Sequence, residues 1–488
     1  MKKLIPYIAA AVLSISGLHA QTYTVTQICT GLQMSVAFDI APDDGRFFIT
    51  QKGDGSTPAS AGTATIRVYN ATGTFIGTFY DLSDSVQSDF ERGLLGITLD
   101  PNYVTNKYVY VYYNHIWNGD ERIRILRFTD VNNVGTNPTI IFDLDVANNI
   151  NGNHVGGNLH FRPSDSTHIY FTIGDLAYQQ TNPTLNYANK LTNPYGKVLR
   201  ISKSPLAPPP TDNPYYDDGD PLNTNCDWIW SYGHRNSFDF CFSPTTDSMY
   251  CTENGLNAWD EVNMIHKGGF YGWANCEGFY QNSSTTVMCT TPDIDPIEDW
   301  SNPPAVTGVL FYSSQVMPEF DNHLLVADND NGRIYDLTLG NSPVYDTLLS
   351  RTQWQDLPQG LTTLKQASDG CVLAMRGGYT TTGLINRICP QGLGTPEFAP
   401  TTFHLGNPYP NPTSGTTTLT YTMQNNAQAS IVLYDVFGRE VAVLADGMQA
   451  AGAHQLVIDP VALGLAPGMY YCNMVSEGGT QSRTIIVE

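Results

Sequence analysis

The stretch from Trp228 to Trp273 reads WIWSYGHRNSFDFCFSPTTDSMYCTENGLNAWDEVNMIHKGGFYGW. It contains two apolar runs, Phe238–Phe242 and Ser248–Thr252, joined by a Pro-Thr-Thr-Asp turn. Short runs of this kind, rich in aromatic residues and bounded by turn residues, are typical of β-strands. Charged residues, a histidine and glycines collect at the ends of the two runs, where a rigid sheet can direct side chains into a shared cavity. The stretch therefore predicts a β-hairpin whose ends carry a binding or catalytic site.

A similar unit recurs six times along the chain. Each copy consists of two apolar runs with turn residues between them: Val36–Ile40 with Phe47–Thr50, Gly96–Leu99 with Tyr108–Tyr113, Leu159–Phe161 with Ile169–Ile173, Phe238–Phe242 with Met249–Thr252, Leu324–Ala327 with Arg333–Leu337, and Leu361–Leu364 with Val372–Met375. A lone hairpin cannot bury both of its faces, whereas six arranged radially cover one another as the blades of a propeller. We therefore predict an all-β protein with a six-bladed β-propeller over residues 21–390. A β-sandwich is the alternative, but it would not require six similar units.

The composition changes after Pro390. Residues 391–403 are rich in Gly and Pro and predict a linker. Residues 404–488 contain five further short runs bounded by turn residues: Ser430–Tyr434, Val441–Leu444, Gln455–Ile458, Met469–Cys472 and Ser482–Val487. This length is close to the minimum that folds alone. We therefore predict a small C-terminal β-sandwich over residues 404–488.

The charge and the first residues predict an exported protein. The formal net charge of −22 argues against nucleic acid and anionic membrane surfaces as partners, because both require fields of Lys and Arg. Residues 1–20 have the pattern of a secretory signal peptide, with Lys2 and Lys3 before the apolar run Ile8–Leu18. No later apolar run approaches the ~20 residues that span a bilayer, so no transmembrane segment is expected after signal removal. Export permits disulfides, and the plausible local pairs are Cys276 with Cys289 and Cys371 with Cys389.

Several motifs of residues 35–390 occur together and in one order: Glu91-Arg92-Gly93-Leu94-Leu95-Gly96, Asn153-His154-Val155-Gly156-Gly157, Gly196-Lys197-Val198-Leu199-Arg200, Gly233-His234-Arg235-Asn236, Thr252-Glu253-Asn254-Gly255, Asp260-Glu261-Val262-Asn263 and Gly269-Phe270-Tyr271-Gly272-Trp273. In these motifs the chain resembles the glucose/sorbosone dehydrogenase family. The resemblance implies a six-bladed propeller that oxidises aldose sugars at the anomeric carbon by hydride transfer. It also implies pyrroloquinoline quinone (PQQ) and Ca²⁺ as cofactors. No GxGxxG motif opening a helix and no Walker motif occurs, which argues against nicotinamide and nucleotide cofactors.

The resemblance assigns roles to individual residues. His154 matches the catalytic base, and an imidazole with an ordinary pKa of about 6.5 can accept a proton from a sugar hydroxyl near neutral pH. Arg235 matches the residue that polarises the quinone, where a guanidinium stabilises developing negative charge. Asn236 and Asn254 match cofactor-binding positions. The resemblance places Glu91 and Asn153 at sugar-binding positions.

The metal ligands are also implied by the resemblance. The backbone carbonyls of Gly255 and Leu256 would bind a calcium ion that holds the quinone, and Glu261 and Tyr271 match ligands of a second, structural calcium ion. Carboxylate and carbonyl oxygens are the ligands that Ca²⁺ prefers. The residue types therefore agree with the metal that the family uses.

The chain departs from the family where basic residues of the fifth and sixth blades bind the carboxylates of the quinone. Asp330 lies at or near the expected lysine, and Gln353 and Gln355 lie where two arginines are expected. An anionic cofactor requires paired charge. The alternative function is therefore a non-catalytic, calcium-stabilised propeller that binds glycans or proteins. A glycosidase is a third possibility, although no pair of carboxylates suggests acid–base catalysis.

The C-terminal residues carry a second resemblance. The motifs are Asn407-Pro408-Tyr409-Pro410-Asn411-Pro412, Tyr434-Asp435-Val436-Phe437-Gly438-Arg439 and Leu465-Ala466-Pro467-Gly468-Met469-Tyr470-Tyr471. They resemble the C-terminal sorting domain of the Por (type IX) secretion system. The resemblance implies the outer-membrane secretion machinery as a partner and a protein that is exported through the periplasm to the cell surface or the medium.

Overall fold

A computed structural model describes residues 22–146, 152–222, 224–282, 284, 286–289, 294–377, 382–391, 403–406, 408–435, 439–476 and 479–487. The predicted signal peptide at residues 1–20 and residues 392–402 of the predicted linker lie outside this part of the chain. Nearly all of the regular structure is β-strand. The helices among the described residues are one short α-helix, Tyr103–Asn106, and two 3₁₀ turns, Ser83–Ser85 and Pro318–Phe320. None of them has the length or the apolar character to cross a membrane.

The first 26 strands form six antiparallel four-stranded sheets and one two-stranded ribbon. Strand β1 is Tyr23–Leu32. The first three blades contain β2 Ser35–Ile40, β3 Phe47–Gln51, β4 Thr65–Tyr69 and β5 Phe75–Asp81; β6 Leu94–Leu99, β7 Tyr108–Trp117, β8 Asp120–Val131 and β9 Val134–Asp145; and β10 Leu159–Arg162, β11 Asp165–Ile173, β12 Lys197–Ser202 and β13 Ile229–Tyr232.

Blades four to six continue the same order. They contain β14 Ser237–Phe242, β15 Met249–Glu253, β16 Asp260–Ile265 and β19 Glu298–Trp300; β20 Val306–Tyr312, β21 His323–Asp328, β22 Arg333–Gly340 and β23 Thr347–Asp356; and β24 Leu361–Gln366, β25 Val372–Arg376 and β26 Gly383–Pro390, with β1 as fourth strand. The ribbon pairs β17 Cys276–Glu277 with β18 Tyr280–Gln281.

The six sheets close into a ring. The innermost strands of successive sheets contact one another, and β24 of the sixth blade contacts β2 of the first. Strand β1 completes the sixth blade by pairing with β26, so that Tyr23 lies opposite Pro390. This arrangement confirms the predicted six-bladed β-propeller. It arises because each sheet is apolar on both faces and must be covered by its two neighbours.

The predicted units agree with the observed blades at five positions and differ at one. The first four units and the sixth correspond to the two inner strands of their blades. In the fifth unit, the runs Leu324–Ala327 and Arg333–Leu337 are the second and third strands, because β20 (Val306–Tyr312) occupies the inner position. The glycine at Gly308 interrupts the apolar run there, and a Cβ at this position would lie 2.7 Å from the backbone of Leu364. The sequence pattern does not reveal β20, because the glycine that permits this close packing between blades also interrupts the apolar run.

Two disulfides are present in the propeller, Cys276–Cys289 and Cys371–Cys389. They are the two local pairs that the sequence predicts. The five other cysteines are unpaired.

The C-terminal residues form a β-sandwich. One sheet contains β27 Phe403–Leu405, β28 Thr417–Met423 and β31 Gly452–Ile458, and the other contains β29 Ala427–Asp435, β30 Glu440–Gln449, β32 Gly468–Ser476 and β33 Gly479–Val487. Residues of both sheets share one apolar core. The sequence predicts five of these strands and misses β27 and β28. Phe403 belongs to β27, so the first strand begins inside the predicted linker.

Candidate functional site

His154 lies between the second and third blades, in the segment that precedes β10. Its backbone is left-handed, with φ of 55°, which is uncommon for a residue with a side chain. The neighbouring Gly156 packs so closely that a Cβ there would lie 2.1 Å from the carbonyl oxygen of Thr172. The segment is therefore pressed against β11, and the His154 side chain is held at a fixed position with 6% exposure.

The imidazole of His154 is oriented by a buried carboxylate. Nδ1 of His154 lies 2.6 Å from Oδ1 of Asp175, which is fully buried. Asp175 also accepts hydrogen bonds from Trp273 Nε1 at 2.7 Å, Asn186 Nδ2 at 2.9 Å and the backbone N–H of Ala177 at 2.8 Å. An ionised carboxylate can only accept hydrogen bonds, so Nδ1 of His154 carries the proton that is shared with Asp175. Nε2 is then the basic atom of the neutral ring.

Sequence reasoning missed Asp175. It follows β11 after a single glycine, at the end of a buried strand, and that position is the signal that could have identified it. Its partner is 21 residues earlier in the chain, so the pair depends on how the segment before β10 folds across β11.

Glu91 fixes the backbone of the same histidine. Its Oε2 accepts a hydrogen bond from the His154 N–H at 2.5 Å, and its own N–H donates to the carbonyl of Gly152 at 3.0 Å. Asn153 lies between Gly152 and His154 in the chain and is half-buried. The structure therefore brings Glu91, Asn153 and His154 together.

A cavity of about 220 Å³ opens beside Glu91. Its walls come from the inner strands and loops of all six blades, and polar side chains are frequent in them: Lys52, Glu91, Asn158, Asn236, Asp239, Asn254, Thr307, Asn329, Thr362 and Thr363. We call this space the large cavity. A volume of this size, lined by amides and hydroxyls among apolar groups, is suited to a small polar molecule.

Arg235 contacts Asn254, one of the residues that line the large cavity. Its Nη1 donates to the carbonyl of Asn254 at 2.7 Å, and its Nε donates to Oε1 of Gln180 at 2.9 Å. The guanidinium also lies over the ring of Trp273, 5.6 Å from the centroid. Burial lowers the pKa of Arg235, although the surrounding carboxylates, Asp175 first, oppose this effect. Arg235 is therefore a desolvated positive charge fixed next to Asn254.

A second, small cavity of about 10 Å³ adjoins the large cavity, because Asn254 lines both. Three buried carboxylates, Glu253, Glu261 and Glu277, line this small cavity. A space of this volume holds one water molecule or one ion. Arg235 also lines the small cavity, but the three carboxylates outnumber this one positive charge. The small cavity is therefore suited to a hard cation such as Ca²⁺.

The electrostatics of the carboxylates support a cation. Burial raises the pKa of Glu277 to about 7 and the pKa of Asp260 to about 6. Burial also raises the pKa of Glu261 well above its usual value, and the nearby charge of Glu253 raises it further. Buried carboxylates of like charge are unfavourable unless a proton or a cation compensates them. A divalent cation in the small cavity would return these groups to their ionised form.

Each carboxylate also supports the loop around it. Glu253 accepts a hydrogen bond from Nδ1 of His234 at 2.9 Å, and the ring of His234 stacks on Tyr271. Glu261 accepts from Asn263 Nδ2 at 3.0 Å. Glu277 accepts from the backbone N–H of Leu256. Sequence reasoning assigned no role to Glu253 or Glu277, although Glu253 lies in a motif that it identified.

The other predicted metal residues lie near the small cavity. Gly255 lines it, and its N–H donates to Oδ1 of Asp260 at 2.9 Å. Leu256 packs beside Trp273. Tyr271 also lines the small cavity, while its hydroxyl donates to the carbonyl of Met264 at 2.6 Å. The structure therefore brings all four predicted metal-binding residues into one region.

The positions expected to carry basic residues are less close to the cavity than the sequence suggests. Asp330 is exposed, while its neighbour Asn329 lines the large cavity. Gln353 and Gln355 lie on β23, the outermost strand of the fifth blade. The sixth blade instead presents Thr362 and Thr363 to the large cavity. Strand β24, the inner strand of the sixth blade, follows these glutamines in the chain.

Comparison with known proteins gives two matching families. The family described as glucose / sorbosone dehydrogenase matches residues 32–382. The family described as secretion system C-terminal sorting domain matches residues 407–488. The first match covers most of the chain and includes every predicted site residue.

One similar protein is the aldose sugar dehydrogenase YliI of Escherichia coli, which is 25% identical over 247 residues. The match covers 48% of this chain and 62% of the relative, less than two thirds of its length.

Solved structures show the same fold. The apo form of the soluble aldose sugar dehydrogenase of Escherichia coli matches 76% of this chain and 100% of its own chain. The TM-score is 0.63 and the sequence identity is 20%. The PQQ-bound aldose sugar dehydrogenase of Streptomyces coelicolor covers 75% of this chain, with 99% of its own length matched, a TM-score of 0.57 and 20% identity. With the family match over residues 32–382, the chain belongs to the glucose/sorbosone dehydrogenase family.

Proposed function

We propose that this protein is an exported dehydrogenase that oxidises aldose sugars at the anomeric carbon, with PQQ as the hydride acceptor and Ca²⁺ as a bound cation. One arrangement carries the proposal: two residues that line the large cavity each hold one of the reactive groups. Glu91 binds the backbone of His154, which is paired with Asp175, and the carbonyl of Asn254 binds the Arg235 guanidinium. A base and a fixed positive charge are the two groups that hydride abstraction from a hydroxylated carbon requires. The Streptomyces coelicolor aldose sugar dehydrogenase is PQQ-bound in its structure, and this supports PQQ as the cofactor of the present protein.

The residues present fit both cofactors. PQQ is a flat quinone with carboxylates. The large cavity offers the amides of Asn236 and Asn254 for hydrogen bonding, and Arg235 is bonded to the carbonyl of Asn254. The raised pKa values of Glu261 and Glu277 are the feature that fits Ca²⁺. Arg235, Asn236 and Asn254 would hold the quinone, and the carboxylates of the small cavity would hold calcium together with carbonyls of Gly255 and Leu256.

The quinone, when bound, supplies the acceptor for the hydride from the sugar. His154 accepts the proton of the anomeric hydroxyl at Nε2, because Asp175 keeps the other ring nitrogen protonated. Asp175 then stabilises the imidazolium, which is positive for the duration of the step. Glu91 holds the backbone of His154 and lines the large cavity, where its carboxylate orients sugar hydroxyls. Asn153, the residue before His154, is the second sugar-binding residue of the proposal.

Arg235 stabilises negative charge next to the cavity. It is held by Asn254 and Gln180 before any ligand binds, so little reorganisation is needed. Its burial strengthens the interaction with an anion. We infer that Arg235 contributes both to holding the acceptor and to the hydride step.

The second candidate function is a calcium-stabilised propeller that binds glycans without oxidising them. Two acidic side chains, Glu91 and Asp239, and one basic side chain, Lys52, line the large cavity. This excess of acidic groups favours the second function. An anionic cofactor binds less favourably in such a lining. This function would keep the cavity and the calcium but would not need the His154–Asp175 pair.

The deciding experiment is reconstitution of the purified protein with PQQ and CaCl₂, followed by the visible spectrum on addition of aldoses. Sugar-dependent reduction of the quinone supports the dehydrogenase. His154→Ala should abolish the reduction with nearly unchanged PQQ affinity, because base removal typically costs about 10²–10⁴-fold in rate. Arg235→Ala should lose both. If wild-type protein binds a sugar but no PQQ at high calcium, the glycan-binding function is correct instead.

Export is the third part of the proposal. The match of residues 407–488 to the sorting domain supports transport by the outer-membrane secretion machinery. The protein would then act on sugars at the cell surface or in the medium. Secretion of the full chain, compared with a chain that ends at residue 391, tests this part.

A further inference from the structure

The positive charge in the wall of the large cavity comes from the first blade, whereas the resemblance implies basic residues in the fifth and sixth blades. Among the described residues that line it, Lys52 is the one cationic side chain, and it belongs to the first blade. The positions expected to be basic belong to the fifth and sixth blades. Thr362 and Thr363 of the sixth blade line the same cavity, and the sixth blade is the neighbour of the first in the ring.

Lys52 is built into the wall. It directly follows β3, is 3% exposed, and its Nζ donates to the carbonyl of Ser88 at 2.6 Å. Its stem passes over Gly93, where a Cβ would lie 2.3 Å from Cγ of Lys52. Any larger residue at Gly93 would displace the stem. The glycine in the Glu91–Gly96 motif therefore makes room for this lysine.

Two of the carboxylates near Lys52 are shared with other groups. Burial lowers the pKa of Lys52 to about 8, although Asp89, Glu91 and Asp54 oppose this effect. The first two of these carboxylates also serve other groups: Asp89 forms a 2.9 Å ion pair with Arg92, and Glu91 binds the backbone N–H of His154. A buried ammonium is stabilised when an anion is brought to it.

We propose that Lys52 binds a carboxylate of the molecule held in the large cavity. The carboxylate has two possible sources. It belongs to the quinone, in which case the inference rests on the proposed function, or it belongs to an acidic sugar such as glucuronate. In either case Lys52 of the first blade would supply the positive charge that the resemblance implies for the fifth and sixth blades.

The test uses Lys52→Gln, which removes the charge but keeps a donor for the Ser88 carbonyl. Lys52→Arg restores the charge. Lys365→Gln is the matched control, because Lys365 lies on the inner strand β24 and its Nζ pairs with Asp39 at 3.2 Å. Circular dichroism verifies that each variant is folded. If Lys52→Gln does not fold, Lys52→Met and Lys52→Arg are compared instead.

PQQ affinity is measured with CaCl₂ present by quenching of tryptophan fluorescence, and glucuronate and glucose affinities are measured by calorimetry. If the quinone is the source, Lys52→Gln weakens PQQ binding about ten- to hundredfold, as expected for loss of a charged hydrogen bond. Lys52→Arg and Lys365→Gln retain binding within a few-fold. If an acidic sugar is the source, Lys52→Gln instead abolishes a wild-type preference for glucuronate over glucose.

The outcomes separate this inference from the proposed function. Wild-type protein that binds no PQQ contradicts the proposed function, and the sugar measurement then decides the role of Lys52 alone. Wild-type protein that binds PQQ as tightly as Lys52→Gln, and that shows no preference between the two sugars, overturns the inference while the proposed function stands. An equal loss of PQQ affinity in Lys365→Gln also overturns it, because the effect would then be general electrostatics.

Discussion

Nδ1 of His154 lies 2.6 Å from Oδ1 of Asp175, and both side chains are buried. The contact joins the segment before β10 to Asp175, two residues after the end of β11, so both members of the pair adjoin strands of the third blade. Asp175 has three further donors and cannot turn away without breaking them. The basic nitrogen of His154 is thus set by the blade.

We expect Asp175→Asn to reduce sugar oxidation by reconstituted protein on the order of 10²-fold. The amide can donate to the ring and permits the other tautomer, which places the proton on Nε2. Asp165→Asn is the matched control, since Asp165 also lies 2.7 Å from a histidine, His168, at the start of β11. Steady-state rates with PQQ present provide the measurement. Equal rates in Asp175→Asn and wild type would show that the carboxylate has no part in the reaction.

Glu261→Gln should lower the calcium content of the purified protein, because it removes a negative charge from the small cavity. Calcium that binds only the folded state stabilises it by about 2.7 kcal/mol at one hundred times its Kd. The variant should therefore lose the rise in Tm that calcium gives to wild type. Glu298→Gln is the control, since Glu298 pairs with Arg351 instead. Equal calcium content in wild type and Glu261→Gln would reject the metal assignment.

The metal-free protein should become less stable as pH rises from about 5 to 7.5. Burial raises the folded-state pKa of Glu277 to about 7 and that of Asp260 to about 6, above the values in the unfolded chain. The folded state therefore binds more protons in this window, and its free energy of unfolding falls as pH rises. Calcium should reverse the trend because it replaces the protons. Urea unfolding at several pH values, with chelator or with calcium, measures both effects; parallel pH profiles would contradict the expectation.

Lys197→Met should destabilise the propeller by about 3 kcal/mol or more, because each buried acceptor left without a donor costs about 1–3 kcal/mol. Lys197 is fully buried, and its Nζ donates to the carbonyls of Tyr187, Ala188 and Tyr195. Lys190→Met provides the control, since the exposed Nζ of Lys190 donates to one carbonyl in the same loop. Denaturant titrations measure both variants. A change below 1 kcal/mol in Lys197→Met would contradict this prediction.

A chain that ends at Gln391 should fold into the propeller with an unchanged Tm. Within the described residues, the ladders of β1–β26 pair only with one another, and the C-terminal sheets have a core of their own. Calorimetry of the full and shortened chains measures the transitions. The shortened chain should lose export while keeping its fold, and an unfolded product in the cytosol or periplasm would show that the two parts depend on each other.

Much of the fold could be predicted from the sequence because each blade repeats one local pattern. Five of the six units coincide with inner strands, since their apolar runs end in clear turns. For the candidate site, the motifs indicate His154 and Arg235 as site residues, and these remain predictions. The sequence does not indicate Asp175 or Glu277, because each gains its contacts only from residues of another segment.

The pairing of Tyr23 with Pro390 also determines when the ring can form. During synthesis, β1 emerges first and its partner β26 emerges some 360 residues later. Until then β1, the outer strand of the sixth blade, lacks the three other strands of its sheet and presents unpaired edges that can join another chain. Contacts of such long separation form slowly. Ring closure is thus the last event of propeller folding, and a chaperone that shields residues 23–32 would act on the newly made chain for most of its synthesis.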